Sequence, residues 1–435
     1  MCPKRSLQNK IVVLALALVL VVPILVACGK AKEQTPLSTP TPAATPSLTT
    51  TPAVTLTPTP VATPGPTTTP AVTLTPRPTG PVKIGAIGPW SGPMGVAGML
   101  ADQAISVVEK QVKNMGGILG GREIKFVRAD DRGVVAESAA QAKKLILDDK
   151  ISILTLGGVS VAHMTAVAEV AEEYKVPFVA LGTIYGVEAM KYSALLYSNE
   201  VLIARAADFI ADVVKPKTVA FLGYESEDTH GIINGVRGVV GARERWKAAG
   251  LDLIYEQYFP QDAMDFSPYL TKIKYLNPDL VIIATNNLAQ DITINKQIIE
   301  LGGWGDMKVW HSNETSSGQK AVSMPAALGT YVSVLWMPGS DDPGMKAFED
   351  AFKKTWGRLA TNDLAYYYNC FWAGIKAIEL AGTSDREKVA QAMRSGNLEW
   401  DSAWGHLRIP PDGKGMPTLM VAQVQEGGKL VKVWP

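Results

Sequence analysis

From Val82 onward, short apolar runs alternate with longer stretches in which apolar residues recur every three or four positions. Val82-Lys83-Ile84-Gly85-Ala86-Ile87 reads as a strand that ends in Gly88-Pro89-Trp90-Ser91-Gly92-Pro93. Leu100, Ala104, Ile105, Val108 and Val112 then fall on one helical face, and the glycines of 116–121 stop that helix. The pattern goes on to predict a strand over 122–131, a helix over 136–147, a strand over 151–156, a helix over 161–174 and a strand over 176–181. After Tyr197 the rhythm restarts: helix 203–214, strand 218–224, helix 232–249, strand 253–258, helix 268–276, strand 280–285, helix 291–301 and strand 308–312. A strand over 331–337 precedes helices over 345–356, 364–381 and 386–394, and two strands, 418–425 and 429–434, flank Glu426-Gly427-Gly428. Strands alternating with helices imply βαβ units and parallel sheets. Two such series argue for two lobes, to which the late elements return.

Ahead of this pattern the texture is different. Lys4, Arg5 and Lys10 precede an apolar run over 11–25, which has the length of a signal-peptide core and is short for a spanning helix. It ends in Leu25-Val26-Ala27-Cys28, which resembles the bacterial lipobox. The expectation is a signal peptide over 1–27, cleavage before Cys28, and a lipid on that thiol tethering the chain to a membrane. The alternative is a plain signal anchor with an incidental cysteine. From Ala31 to Gly80 there are 17 Thr and 12 Pro, no aromatic residue, and the octamer TPAVTLTP twice. Such a stretch cannot bury enough apolar surface to offset chain entropy. Residues 28–81 therefore read as a disordered stalk, reaching roughly 150 Å if extended at about 3.1 Å per residue.

Composition narrows the function classes. Lys+Arg 42 against Asp+Glu 41 leaves no broad basic face for nucleic acid. Three cysteines, two of them at the extreme N-terminus, exclude a disulfide framework, and four scattered histidines make a zinc cluster improbable. No phosphate-binding loop, dinucleotide fingerprint or nucleophile elbow is present, so neither cofactor, metal nor catalytic residue is expected. Asp130-Asp131 reads as a solvated turn or a helix cap, His163 and His311 as structural histidines, and Cys370 as a small buried hydrophobe. Ligands of parallel sheets bind beyond the carboxyl ends of strands. There the sequence places Trp90-Ser91, Gly157 to Ser160, Gly182-Thr183, Tyr224 to His230, Thr285 to Asn287 and Ser312 to Glu314. Short hydroxyls and first-turn N–H groups suit a carboxylate or another small polar group, although the same residues serve as helix caps.

KIGAIGPWSGPMGVAG, GGILGGREIKFVRADD and FSPYLTKIKYLNPDLVIIAT resemble the leucine/isoleucine/valine-binding type of periplasmic receptor, over about 82–434. The resemblance implies an α/β fold of two Rossmann-like lobes with parallel sheets, joined by three crossovers, with the ligand between the lobes. The bilobed domain would cover 82–435, with one lobe over 82–198 and about 340–400 and the other over about 199–339 and 401–435. Carried onto this chain, the ligand contacts fall on Trp90, Ser91, Ser160, Val161, Gly182, Thr183, His230, Asn286, Asn313 and Glu314. Several groups that grip an amino acid's charged backbone are absent or displaced, since an aromatic is replaced by Ala97, a serine by Val161, and an acidic residue by Asn313 beside Glu314.

The resemblance implies a non-catalytic extracytoplasmic receptor, monomeric, delivering a branched-chain amino acid or a related amide or carboxylate to the permease of an ABC importer. A ligand-sensing module of the same fold and an exported α/β hydrolase are the alternatives.

Overall fold

The computed structural model describes residues 80–434 except 236–239, 286–287 and 313–318. Cys28 and the Thr/Pro segment lie outside the described residues. The first series comprises β1 (Val82–Gly88), α1 (Gly95–Asn114), β2 (Ile124–Asp130), α2 (Val135–Leu147), β3 (Ile153–Leu156), α3 (Val161–Tyr174), β4 (Phe178–Ala180) and β5 (Ser193–Leu195). The second comprises α4 (Asn199–Phe209), β6 (Thr218–Tyr224), α5 (Glu227–Asn234), α6 (Ala242–Ala248), β7 (Asp252–Phe259), α7 (Ser267–Leu276), β8 (Leu280–Ala284), α8 (Leu288–Glu300), β9 (Lys308–His311), α9 (Gln319–Val322) and β10 (Tyr331–Val334). The chain closes with α10 (Pro343–Trp356), α11 (Asn362–Ala381), α12 (Arg386–Met393), β11 (Leu398–Ser402), β12 (Gly405–Ile409), β13 (Met420–Val424) and β14 (Leu430–Trp434).

The two series build two sheets with the same strand logic. The first runs β2-β1-β3-β4-β5, all parallel. The second runs β14-β13-β10-β9-β8-β6-β7, parallel from β7 to β10, with β13 and β14 added antiparallel at its far edge. In each, the opening strand has its second strand on one side and its third on the other, so the order in which strands are added reverses between β1 and β3, and again between β6 and β8. A crevice opens at such a switch point, beyond the strand ends. Chain passages β5–α4, β10–α10 and β12–β13 connect the two layers, so the bilobed, three-crossover α/β architecture expected from the resemblance is observed.

Burial explains the strand composition. Six of the seven β1 residues are buried because helices cover both sheet faces. Val82, Ile84 and Ala86 join α1, α10 and α11 in one core, while the alternate residue Ile87 joins α2 and α3 in another. Helix α11 runs close against β3, where a Cβ on Gly374 would stand 3.0 Å from Thr155 Cγ2. Phe221, Ile282 and Trp310 of the second sheet face α4 and α6, and Leu222, Ile283 and Val309 face α7 and α8.

Three features differ from the sequence expectation. The helix predicted over 232–249 is two helices, because Gly235 takes φ +81 after α5 and the chain returns so tightly that a Cβ on Gly241 would lie 2.2 Å from the Gly235 nitrogen. Strand β5 is only three residues long, too short to show a period. The β11–β12 hairpin packs on α10 and α11, so Met420 is the first residue of the final stretch to pair in the second sheet.

Candidate functional site

The carboxyl ends of β1, β3 and β4 form one edge of the first sheet, laced by backbone bonds from Gly158 to Ile87 at 3.1 Å and from Leu181 to Leu156 at 3.1 Å. Adjacent strands lie about 4.8 Å apart, so loops after β1 and β4 are within roughly 10 Å of each other. The structure thus brings together Trp90, Ser91, Ser160, Val161, Gly182 and Thr183.

Their local roles differ. Trp90 is half-buried and its ring packs on Gly88, where a Cβ would fall 3.3 Å from it. The Trp90 indole Nε1 is buried without a hydrogen-bond partner among the described residues. Ser91 is exposed, and its hydroxyl donates to Asp130 Oδ2 at 2.5 Å. Asp130 Oδ1 also accepts from the backbone N–H of Trp90 at 2.9 Å, of Ser91 at 3.2 Å and of Arg132 at 3.0 Å. Partial burial raises the Asp130 carboxyl, but these hydrogen bonds outweigh it and hold it below the usual carboxylate range.

Of the two roles expected for the neighbouring Asp131, a solvated turn or a helix cap, the first does not hold. Asp131 is fully buried, accepting from the Ser138 hydroxyl at 2.7 Å and the Gly133 N–H at 2.9 Å.

Ser160 is the N-cap of α3, yet its hydroxyl turns to His163 Nδ1 at 2.7 Å instead of capping. The first-turn N–H groups that begin at Val161 therefore keep no side-chain cap from Ser160. His163 is buried, and its Nε2 has no partner among the described residues, so this histidine is not fully satisfied as expected. Gly182 donates its N–H to Met164 Sδ at 3.2 Å, and a Cβ there would stand 3.1 Å from the Tyr197 hydroxyl. Thr183 beside it is 6% exposed.

On the second sheet, His230 lies within α5. Its Nε2 pairs with Glu225 Oε1 at 2.7 Å, and its ring stacks on Tyr258 at 3.8 Å. These contacts already use one nitrogen and one ring face. Asn286, Asn313 and Glu314 lie outside the described residues. Cys370 is the small buried residue expected, with its thiol pushed up to about 12 by burial.

A cavity of about 240 Å³ lies between the second sheet and helices α4 and α6, reaching Tyr197 and Tyr366. Of the residues singled out from the sequence, the seven that are described do not line it. Tyr366 belongs to the Tyr366-Tyr367-Tyr368 run, whose aromatic density was the available signal; Trp246, Trp310 and Phe221 read only as core positions. Among the described residues there is no cluster of potential metal ligands, and no helix is long and apolar enough to cross a membrane.

The periplasmic binding protein family model matches residues 81–429, the whole of both sheets apart from the last strand, β14. The chain belongs to the periplasmic binding protein family. As a periplasmic binding protein it is similar to Leu/Ile/Val-binding protein homolog 7 of Brucella abortus, 22% identical over 374 residues, which cover 81% of this chain and 91% of that one. Among solved structures it resembles the leucine-binding protein of Thermotoga maritima, with a TM-score of 0.64, 23% identity, and 81% and 97% of the two chains covered. It also resembles the solute-binding protein of an ABC transporter from Rhodopseudomonas palustris in complex with 3,4-dihydroxybenzoic acid, with a TM-score of 0.68, 22% identity, and 81% and 96% covered. These structures share the bilobed fold, and the proteins so matched are solute-binding proteins.

Proposed function

We propose that this periplasmic binding protein is the extracytoplasmic receptor of an ABC importer, tethered through a lipid on Cys28, and that it captures a small organic acid or amide with an apolar part. The observation that carries this reading is the switch-point edge of the first sheet. Ser160, Gly182 and Thr183 cluster there with the N-terminus of α3, which favours a carboxylate or amide oxygen. Trp90 borders the same edge as an apolar wall. The two chains of known structure support the choice of solute class, one named for leucine and the other holding an aromatic acid.

Capture needs no covalent step. The solute would bridge the strand-end loops of both sheets and bias a hinge at the three crossovers toward a closed form, which the permease recognises. His230, Asn286, Asn313 and Glu314 would supply the second lobe's side of that contact.

A thermal-shift titration of leucine, isoleucine, valine, benzoate and short-chain acids tests the reading. A bound solute stabilises the fold by about 2.7 kcal/mol at a hundredfold excess over Kd. Ser160→Ala should weaken binding of the responding acid. If no compound in the panel raises the melting temperature, the solute class is wrong.

A further inference from the structure

The cavity in the second layer changes character with depth. Tyr224 and Ser312 stand at the carboxyl ends of β6 and β9, on the side of the sheet where the loops lie. Phe221, three residues earlier in β6, sits roughly 10 Å deeper along the strand at about 3.3 Å per residue. Around it, Ala242 and Trp246 of α6 close the inner end, with both side chains at 5% exposure. The mouth is therefore hydroxylic and the interior apolar and aromatic.

The mouth also adjoins the first-sheet edge. Tyr197 lines the cavity while its hydroxyl stands where a Cβ of Gly182 would be only 3.1 Å away. Its ring is held edge-on by Tyr366 at 5.6 Å, and Tyr366 in turn by the fully buried Trp404 at 4.6 Å. Tyr197 thus belongs both to the loop cluster that includes Gly182 and Thr183 and to the wall of the cavity.

Size sets the class of occupant. An apolar cavity of roughly 150 Å³ holds a benzene ring. The 240 Å³ here has room for a ring with substituents, and more than a branched aliphatic side chain requires.

We propose that this cavity receives the body of the solute, and that this body is a ring-sized apolar group whose polar head remains at the mouth beside Tyr197 and Gly182. The inference rests on the solute-binding role proposed above, and it selects an aromatic acid over a branched-chain amino acid.

Fluorine NMR on the full chain separates the two ideas, with fluorobenzene as a probe of the cavity and 4-fluorobenzoate as a probe of cavity and head-group site together. Saturable broadening of both signals is expected, with 4-fluorobenzoate binding at least tenfold more tightly. Ala242→Leu, which fills the inner end, should weaken both by tenfold or more; Ala206→Leu, from the α4 side, is the second variant should the first not fold. Ser160→Ala should weaken 4-fluorobenzoate alone. Fluorobenzene that fails to bind, or that binds a folded Ala242→Leu or Ala206→Leu chain as well as the parent, overturns the inference. If fluorobenzene binds while 4-fluorobenzoate gains nothing over it and leucine is ignored, the cavity stands and the proposed solute class falls.

Discussion

Asp130 accepts four hydrogen bonds from the Trp90–Ser91 turn and from Arg132, and so fixes the loop that borders the first-sheet edge. Its carboxyl is held below the ordinary value of 3.8, so the ionised form is favoured in the folded state. The resulting stability is present above the unfolded value and is lost as the pH falls through the lower folded value. Asp130→Asn should therefore be less stable than the parent at neutral pH, by roughly 1–3 kcal/mol for bonds to a charged group. That difference should shrink as the pH drops below 3.8. Urea unfolding of both chains at neutral and acidic pH checks it, and a difference that ignores pH would show that the charge is irrelevant. Ser91 is read differently in this light: its hydroxyl proton is committed to Asp130, so its contribution at the edge is to loop geometry.

At the scale of elements, the β11–β12 hairpin joins layers that are far apart in sequence. Ser402 and Gly405 pair across its turn, and Trp404 at the tip is fully buried against Tyr366 and Tyr197. The Asn369 side chain accepts from the Ala403 N–H at 2.9 Å, tying the turn to α11. Trp404→Ala removes a large side chain from a close-packed wall, at a cost of about 3–5 kcal/mol. It should also loosen Tyr366 and Tyr197, so the expected outcome is a lower urea midpoint together with weaker solute binding. Trp404→Phe keeps most of the contact and should lose less on both counts. A Trp404→Ala chain with parent-like stability would mean that the hairpin is dispensable for the wall of the cavity.

For the whole molecule, the first five strands of each sheet repeat one order, and three chain passages connect the sheets. Attachment is an independent matter, carried by Cys28 in the proposed reading. Cys28→Ala should release the protein from the membrane fraction while leaving the melting temperature and solute affinity of the soluble chain unchanged. Membrane fractionation with lipid labelling reads the first effect, and thermal unfolding with and without 4-fluorobenzoate reads the second. Retention in the membrane with undiminished labelling would place the anchor elsewhere.

What the sequence by itself determined is the local rhythm. The helix over 161–174 and the strand over 218–224 occur at the expected residues, since hydrophobic period is a property of neighbouring positions and glycines mark the ends. Parallel sheets and two lobes follow from that alternation, and the strand ends point to Trp90, Ser91, Ser160, Gly182 and Thr183; the resemblance added the three crossovers and the expectation that these residues contact a ligand. The tertiary structure alone decided the rest. A three-residue strand such as β5 has no period to read, and it becomes a strand only by pairing with β4. The split of α5 from α6 depends on a close backbone approach between Gly235 and Gly241, which spacing does not display. The cavity is the space left where Phe221, Trp246 and Tyr366, from three separate elements, and Tyr197 of the β5–α4 passage fail to fill the layer between them. Periodicity assigns each of these residues to an interior face, and only the packing of the elements decides which interior stays empty.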